Sequence, residues 1–172
     1  MFSSIPKRGF LQSEFEQRAQ KARRIMNEEK LDAILLTTEP NLRYFSGFLT
    51  QFWQSSTRPW FLIVPREGEL IAVIPEIGRS GMESTWVNDI RTWPSPCPED
   101  DGISLLVQAL SEVIMRFGRI GMTLGQESYL RMPANNFKQI TEKISPTEIV
   151  DVAFHLHRLK KTKSEAEIQK IE

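Results

Sequence analysis

The sequence is poor in the residues from which most self-contained active sites are built. It holds one cysteine, Cys97, and two histidines, His155 and His157, in 172 residues. A single cysteine excludes an intrachain disulfide. Cys97 lies between Pro96 and Pro98 with no histidine near it in sequence, so nothing there lowers a thiol pKa as a nucleophile requires. Histidines two positions apart share a face only on a strand, and a zinc site needs about three or four ligands. With only Glu148 and Asp151 near them, they read as surface or linker residues. Net charge is lacking too. The 22 basic and 22 acidic residues cancel, which removes bulk attraction to nucleic acid or to an anionic membrane. No apolar run approaches roughly 18 residues, and the start has no signal-peptide-like hydrophobic region. The default expectation is a reducing, cytoplasmic setting with no membrane partner. No GxGxxG, Walker A, GxSxG or HExxH pattern occurs. Gly118, Gly121 and Gly125 are spaced unlike a phosphate loop. The chain is therefore expected to be inactive by itself, with no catalytic residue, no cofactor and no metal site.

What is present is a set of well-signalled secondary elements, enough for one domain. Ser13 and Glu16 have capping-box spacing, and Phe15, Ala19, Ala22 and Met26 recur at helical spacing, which predicts a helix to about Lys30. Lys21, Arg23 and Arg24 read as its solvated face. Ala33–Leu36 is a short unbroken apolar run, as suits a strand buried on both faces. Residues 60–64 and 70–74 predict two strands joined by a Gly68-containing hairpin loop, the second ended by Pro75. A short helix over 76–84 and a strand over 89–93 follow. The acidic cluster Glu99–Asp100–Asp101 precedes a helix and favours its dipole. That helix carries an apolar face from Ile103 to Phe117, with Gly118 as its C′ residue. A strand over 119–123, a helix over 133–143, a strand over 147–152 and a short helix through Leu156 and Leu159 complete the pattern. Strands alternating with helices, plus one hairpin, predict an α/β domain with a mixed β-sheet flanked by helices. Residues 158–163 read as a linker, and Ser164 to Glu167 form a second capping box that launches a further helix.

The segment over 39–60 is unusual. Tyr44, Phe45, Phe48, Phe52, Trp53 and Trp60, with Phe61 just beyond, are interleaved with Arg43 and Arg58. Aromatics with arginine are enriched at interfaces and ligand walls. Tyr44, Phe45 and Phe48 are expected to pack on the sheet. The polar neighbours Gln51, Gln54, Ser55, Ser56 and Thr57 place Phe52, Trp53 and Arg58 on an exposed loop, either as plain surface or with a functional role.

Asn41-Leu42-Arg43-Tyr44-Phe45-Ser46-Gly47-Phe48, after a buried strand and Thr38-Glu39-Pro40, resembles the N-[IL]-x-Y-[LFY]-[ST]-G-[FYW] signature of the creatinase/prolidase amino-terminal domain. Arg119-Ile120-Gly121 resembles that domain's later "IG" strand. Arg158, Lys163, Ser164, Glu167 and Ile168 resemble the R-x-x-K-[ST]-x-x-E-I junction into the family's catalytic half. The resemblance implies a ribonuclease-H-like α/β layer over residues 1–157. It makes 158–172 the linker and first turns of a missing "pita-bread" catalytic domain. In the family that half binds two divalent metals, often manganese or cobalt, through two Asp, one His and two Glu, although creatinase-like members work without them. None of those ligand motifs lies in this sequence. The resemblance further implies dimer support and a loop that reaches the partner subunit's active site. By position that loop is Thr50 to Pro59, with Phe52, Trp53 and Arg58 as gating candidates and a small peptide or an amidino or amide compound as substrate. The alternative expectation is a stand-alone binding or scaffold module.

Overall fold

The computed structural model describes residues 9–55 and 58–171. Seven helices and six strands follow in chain order: α1 (Gln12–Glu29), β1 (Ala33–Leu36), α2 (Glu39–Ser46), β2 (Phe61–Pro65), β3 (Ile71–Pro75), α3 (Arg79–Glu83), β4 (Asp89–Trp93), α4 (Ile103–Val113), β5 (Arg119–Met122), α5 (Ala134–Lys143), β6 (Glu148–Asp151), α6 (Ala153–Lys161) and α7 (Glu165–Ile168). Two single 3-10 turns, Gln51–Gln54 and Glu76–Gly78, lie between them. The strands form one mixed sheet in the order β4-β3-β2-β1-β5-β6. β2 pairs antiparallel with both β1 and β3, and the other three pairings are parallel.

The period of two along each strand divides the core into two layers. Ile34, Leu36, Leu62, Val64, Ala72 and Ile74 face α1, α2 and α6. Ala33, Leu35, Phe61, Ile63, Ile71 and Val73 face α4 and α5. All of β1, β2 and β3 is buried, which is why their sequences are unbroken apolar runs rather than alternations. Each such Leu, Ile or Phe contributes about 1.5–3 kcal/mol when removed from water. The edge strands are blunted by charge: Asp89 and Arg91 on β4, Glu148 and Asp151 on β6, as protects an edge from further pairing. The expected α/β architecture with a mixed sheet and flanking helices is thus observed.

Four local expectations are corrected. Ser13 does not cap α1. The helix starts two residues earlier, with Leu11 at the N-cap and no side-chain cap, and Glu16, which the box would need, accepts from Gln12 at 2.8 Å instead. Gly118 is not the C′ residue of α4, which ends at Val113. The buried Asp32 carboxylate pulls the chain out of the helix by accepting the N–H groups of Arg116, Phe117 and Gly118 at 2.7–3.0 Å. Residues 158–161 are not a linker but the last turn of α6, held by buried Leu156 and Leu159. Arg23 is not merely solvated. Its guanidinium donates to the carbonyls of Pro65 and Gly68 and ties α1 to the β2–β3 hairpin.

Candidate functional site

The signature segment folds as α2. Pro40 sits in its first turn, where a missing N–H is harmless, and Gly47 ends it with φ 77 in the left-handed region that glycine tolerates. The Ser46 hydroxyl donates to the Leu42 carbonyl at 2.7 Å and accepts from the Phe48 N–H at 3.0 Å, so it shapes the turn out of the helix. Asn41 is buried, and its Oδ1 accepts from Lys160 Nζ at 2.8 Å. Burial, with the nearby Lys163 charge, holds that ammonium below the ordinary lysine range.

Tyr44 meets the junction through a residue that the sequence reading passed over. Arg18 of α1 is 2% exposed. It donates to the Tyr44 carbonyl at 2.8 Å, to Glu14 at 3.1 Å and to Glu167 of α7 at 3.0 Å. The rings of Phe10 and Tyr44 lie 4.3 and 4.2 Å from its guanidinium carbon. Ser164 completes the dock by donating to Glu14 at 2.8 Å, and the capping box at Ser164 and Glu167 is formed. Burial pushes the Tyr44 phenol up to about 12, with Glu167 adding to the rise and Arg18 opposing it. Of the junction residues, Glu167 is therefore locked to the domain, whereas Arg158 and Lys163 are exposed. A signal for Arg18 existed: Glu14, Arg18, Ala22 and Met26 lie on one i, i+4 ridge, so the ion pair extends the apolar stripe. Beside this network runs a groove of about 1010 Å³ lined by Phe10, Arg43, Tyr44, Leu49, Trp86 and Lys170, among others.

The second cluster is the segment after the signature. Thr50 caps the 3-10 turn by accepting from the Phe52 N–H. Ser56 and Thr57, on which part of the exposed-loop expectation rested, lie outside the described residues. That expectation is corrected for Trp53, which is 9% exposed. Its ring packs 6.3 Å from Phe48 and 5.5 Å from Trp60, so the sheet-packed aromatics extend outward and take it in. Phe52 and Arg58 are half-buried. Trp60 in turn presses on the turn at Gly78, where a Cβ would stand 2.3 Å from its ring. Only glycine fits that approach.

Arg131, in the segment between β5 and α5, holds this cluster. Its guanidinium carbon lies 4.5 Å from the Trp53 ring centroid. Its nitrogens donate to the carbonyls of Trp53 at 3.2 Å, of Arg58 at 2.5 Å and of Ser55. Burial holds its pKa below the ordinary arginine range. Arg131 has φ 46, a conformation costly for a residue with a Cβ. Neither that conformation nor its partners could be read from neighbouring residues. At the same end of the sheet Asp151 accepts N–H bonds from Leu124 and Ala153, both at 2.9 Å. Burial would raise its pKa, but these amides and that of Gly125 outweigh it and hold the carboxyl below the usual range.

His155 and His157 both lie on α6 and are half-buried, with His155 Nε2 3.2 Å from Glu29. Among the described residues no group of three or more His, Cys, Asp or Glu is placed to hold a metal ion. These side chains do not form the two-metal set expected of a catalytic half. No described helix is long and apolar enough to cross a membrane.

A mixed six-stranded sheet between two helical layers, with a capped helix docked beside the signature, defines an α/β sandwich of a specific kind. The sequence profile of the Creatinase/Prolidase N-terminal domain matches residues 18–159, and the chain belongs to that family. The fold is similar to that of a recombinant prolidase from Thermococcus sibiricus, with TM-score 0.73 and 17% identity over 94% of this chain and 40% of that one. Dipeptidase PepE from Mycobacterium ulcerans gives TM-score 0.69 and 20% identity over 94% and 40% of the two chains. A proline dipeptidase from Streptococcus pneumoniae gives 0.68 and 16% over 84% and 98%. The chain thus spans about two-fifths of the first two solved chains. No curated protein is matched in a sequence comparison.

Proposed function

We propose that this chain is the non-catalytic amino-terminal domain of a hydrolase acting on Xaa-Pro peptides or on a small amidino or amide compound. In that reading it supports dimer formation, and its Thr50–Pro59 loop helps close the partner subunit's active site. The partner half carries the chemistry, with two divalent metals (manganese or cobalt) if the parent is of the metal-dependent kind. The domain limits proposed are residues 1–157, with 158–172 leading into the catalytic half. α6 and the docked α7 give that passage a fixed starting direction.

The observation that carries the gating reading is the loop. A buried aromatic base, Phe48, Trp53 and Trp60, supports a half-buried Phe52 and Arg58. Among the described residues the Arg58 guanidinium makes no hydrogen bond, and a guanidinium can meet a substrate carboxylate in a bidentate way. With Trp53 buried, the wall offered to a substrate is narrower than the sequence suggested: Phe52 and Arg58 rather than three side chains.

Kinetics of Arg58→Ala in a protein carrying the catalytic half test this. Loss of a charge-assisted contact costs about 1.5–3 kcal/mol, so KM should rise or kcat/KM fall by about ten- to a hundredfold, with the melting temperature nearly unmoved. Unchanged kinetics would remove Arg58 from the site.

A further inference from the structure

We propose that Arg131 is a positioning residue for the Thr50–Pro59 loop: its guanidinium clamps the loop from inside and sets the pose in which Phe52 and Arg58 are presented. The loop's place at an active site rests on the reading above; the clamp itself rests on geometry alone.

A guanidinium has five N–H donors in a rigid planar fork and no acceptor. Here the fork meets three carbonyls from the loop. Trp53 and Ser55 lie on its incoming side and share Nη2, while Arg58 on its outgoing side takes Nη1. The cation also lies against the Trp53 ring. The two sides of the loop are thereby drawn to one point. No carboxylate shares the cation's hydrogen bonds among the described residues. Its direct contacts are the three carbonyl dipoles and the ring, with the Glu39 charge acting on it without a hydrogen bond, and these contacts converge only when the loop is in this one arrangement. Displacement of the loop would strand a cation that is 6% exposed, so the alternative poses are penalised. The clamp arises from the segment between β5 and α5, so it also couples the loop to the far half of the sheet. Lysine cannot substitute, because an ammonium is a point charge that lacks the planar fork and the stacking face.

Chymotryptic cleavage after Phe52 or Trp53, followed by mass spectrometry, reads the clamp directly. In Arg131→Ala and Arg131→Lys that cleavage should accelerate by about tenfold or more over wild type, since it tracks the open population of the loop. Added methylguanidinium should slow it in Arg131→Ala, and methylammonium should not. Equal cleavage rates in wild type and in folded variants, or equal rescue by the two cations, would overturn the proposal. Should neither variant fold, hydrogen exchange of the wild-type chain decides. Amides of 52–55 and 130–132 should open as one unit, and openings of different free energy would overturn it. Kinetics in a protein carrying the catalytic half separate the two readings. Faster cleavage with unchanged KM and kcat keeps the clamp and removes the gate, whereas altered KM with unchanged cleavage removes the clamp.

Discussion

Arg18 and Arg131 are both buried cations, 2% and 6% exposed, and both lie against aromatic rings. Their compensation differs. Arg18 is met by two carboxylates and a carbonyl, so one guanidinium ties together α1, α2 and α7, with full charges on α1 and α7. Arg131 is met by carbonyls alone, all from one short stretch of chain. Full charge pairing in a dry site is costly to break, because removal of one partner strands the other. Carbonyls left behind on a surface loop can turn to water. The first arrangement therefore suits a permanent junction, and the second suits a segment whose pose must be defined but whose loss the domain can survive.

The largest expected effect breaks the first arrangement. Arg18→Met should lower stability to denaturant by about 3 kcal/mol or more, because Glu14 and Glu167 are left without their cation. Adding Glu14→Gln to that variant should restore part of the loss, and strict additivity would show that the pair does not couple. Arg131→Met should cost less, about 1–2 kcal/mol. A loss equal to that of Arg18→Met would erase the distinction between the two sites.

Asp151 is the inverse of Arg131, an anion held by backbone N–H groups. Its folded pKa is depressed, so its stabilisation is present above the unfolded value of about 3.9 and is lost as pH falls through the folded value. Asp151 is exposed to solvent, which limits the effect to under about 1 kcal/mol. Melting curves between neutral and acid pH should show Asp151→Asn to be less sensitive below about pH 4 than the wild type. The smallest effect is local. Ser164→Ala removes a cap worth about 1 kcal/mol in a helix, but α7 is short. Faster hydrogen exchange at 165–168 with little change in global stability is expected. A large global loss would make the junction part of the core rather than an appendage.

The elements were largely legible because hydrophobic period marks them. The unbroken runs at 33–36, 61–65 and 71–75 meet helices on both faces, so they could not alternate. Where the reading failed, a distant partner had overruled a local signal. Gly118 had the look of a helix stop, yet Asp32, in the turn just before β1, ends α4 earlier. Trp53 sits among polar residues, yet Phe48, Trp60 and Arg131 enclose it. The signature at Asn41–Phe48 was readable as a string, but its physical role was not: Asn41 holds Lys160, and the Tyr44 carbonyl holds Arg18.

Periodicity and the signature by themselves determined the α/β class, the strand and helix order and the family. These depend on neighbours within a few residues, where spacing fixes which side chains share a face. The tertiary structure alone decided which charges are buried and what compensates them. Arg18 meets Glu167 across 149 residues, and Arg131 meets Trp53 across 78. Contacts at such separations leave no local pattern, because they exist only once the sheet has brought its two halves together.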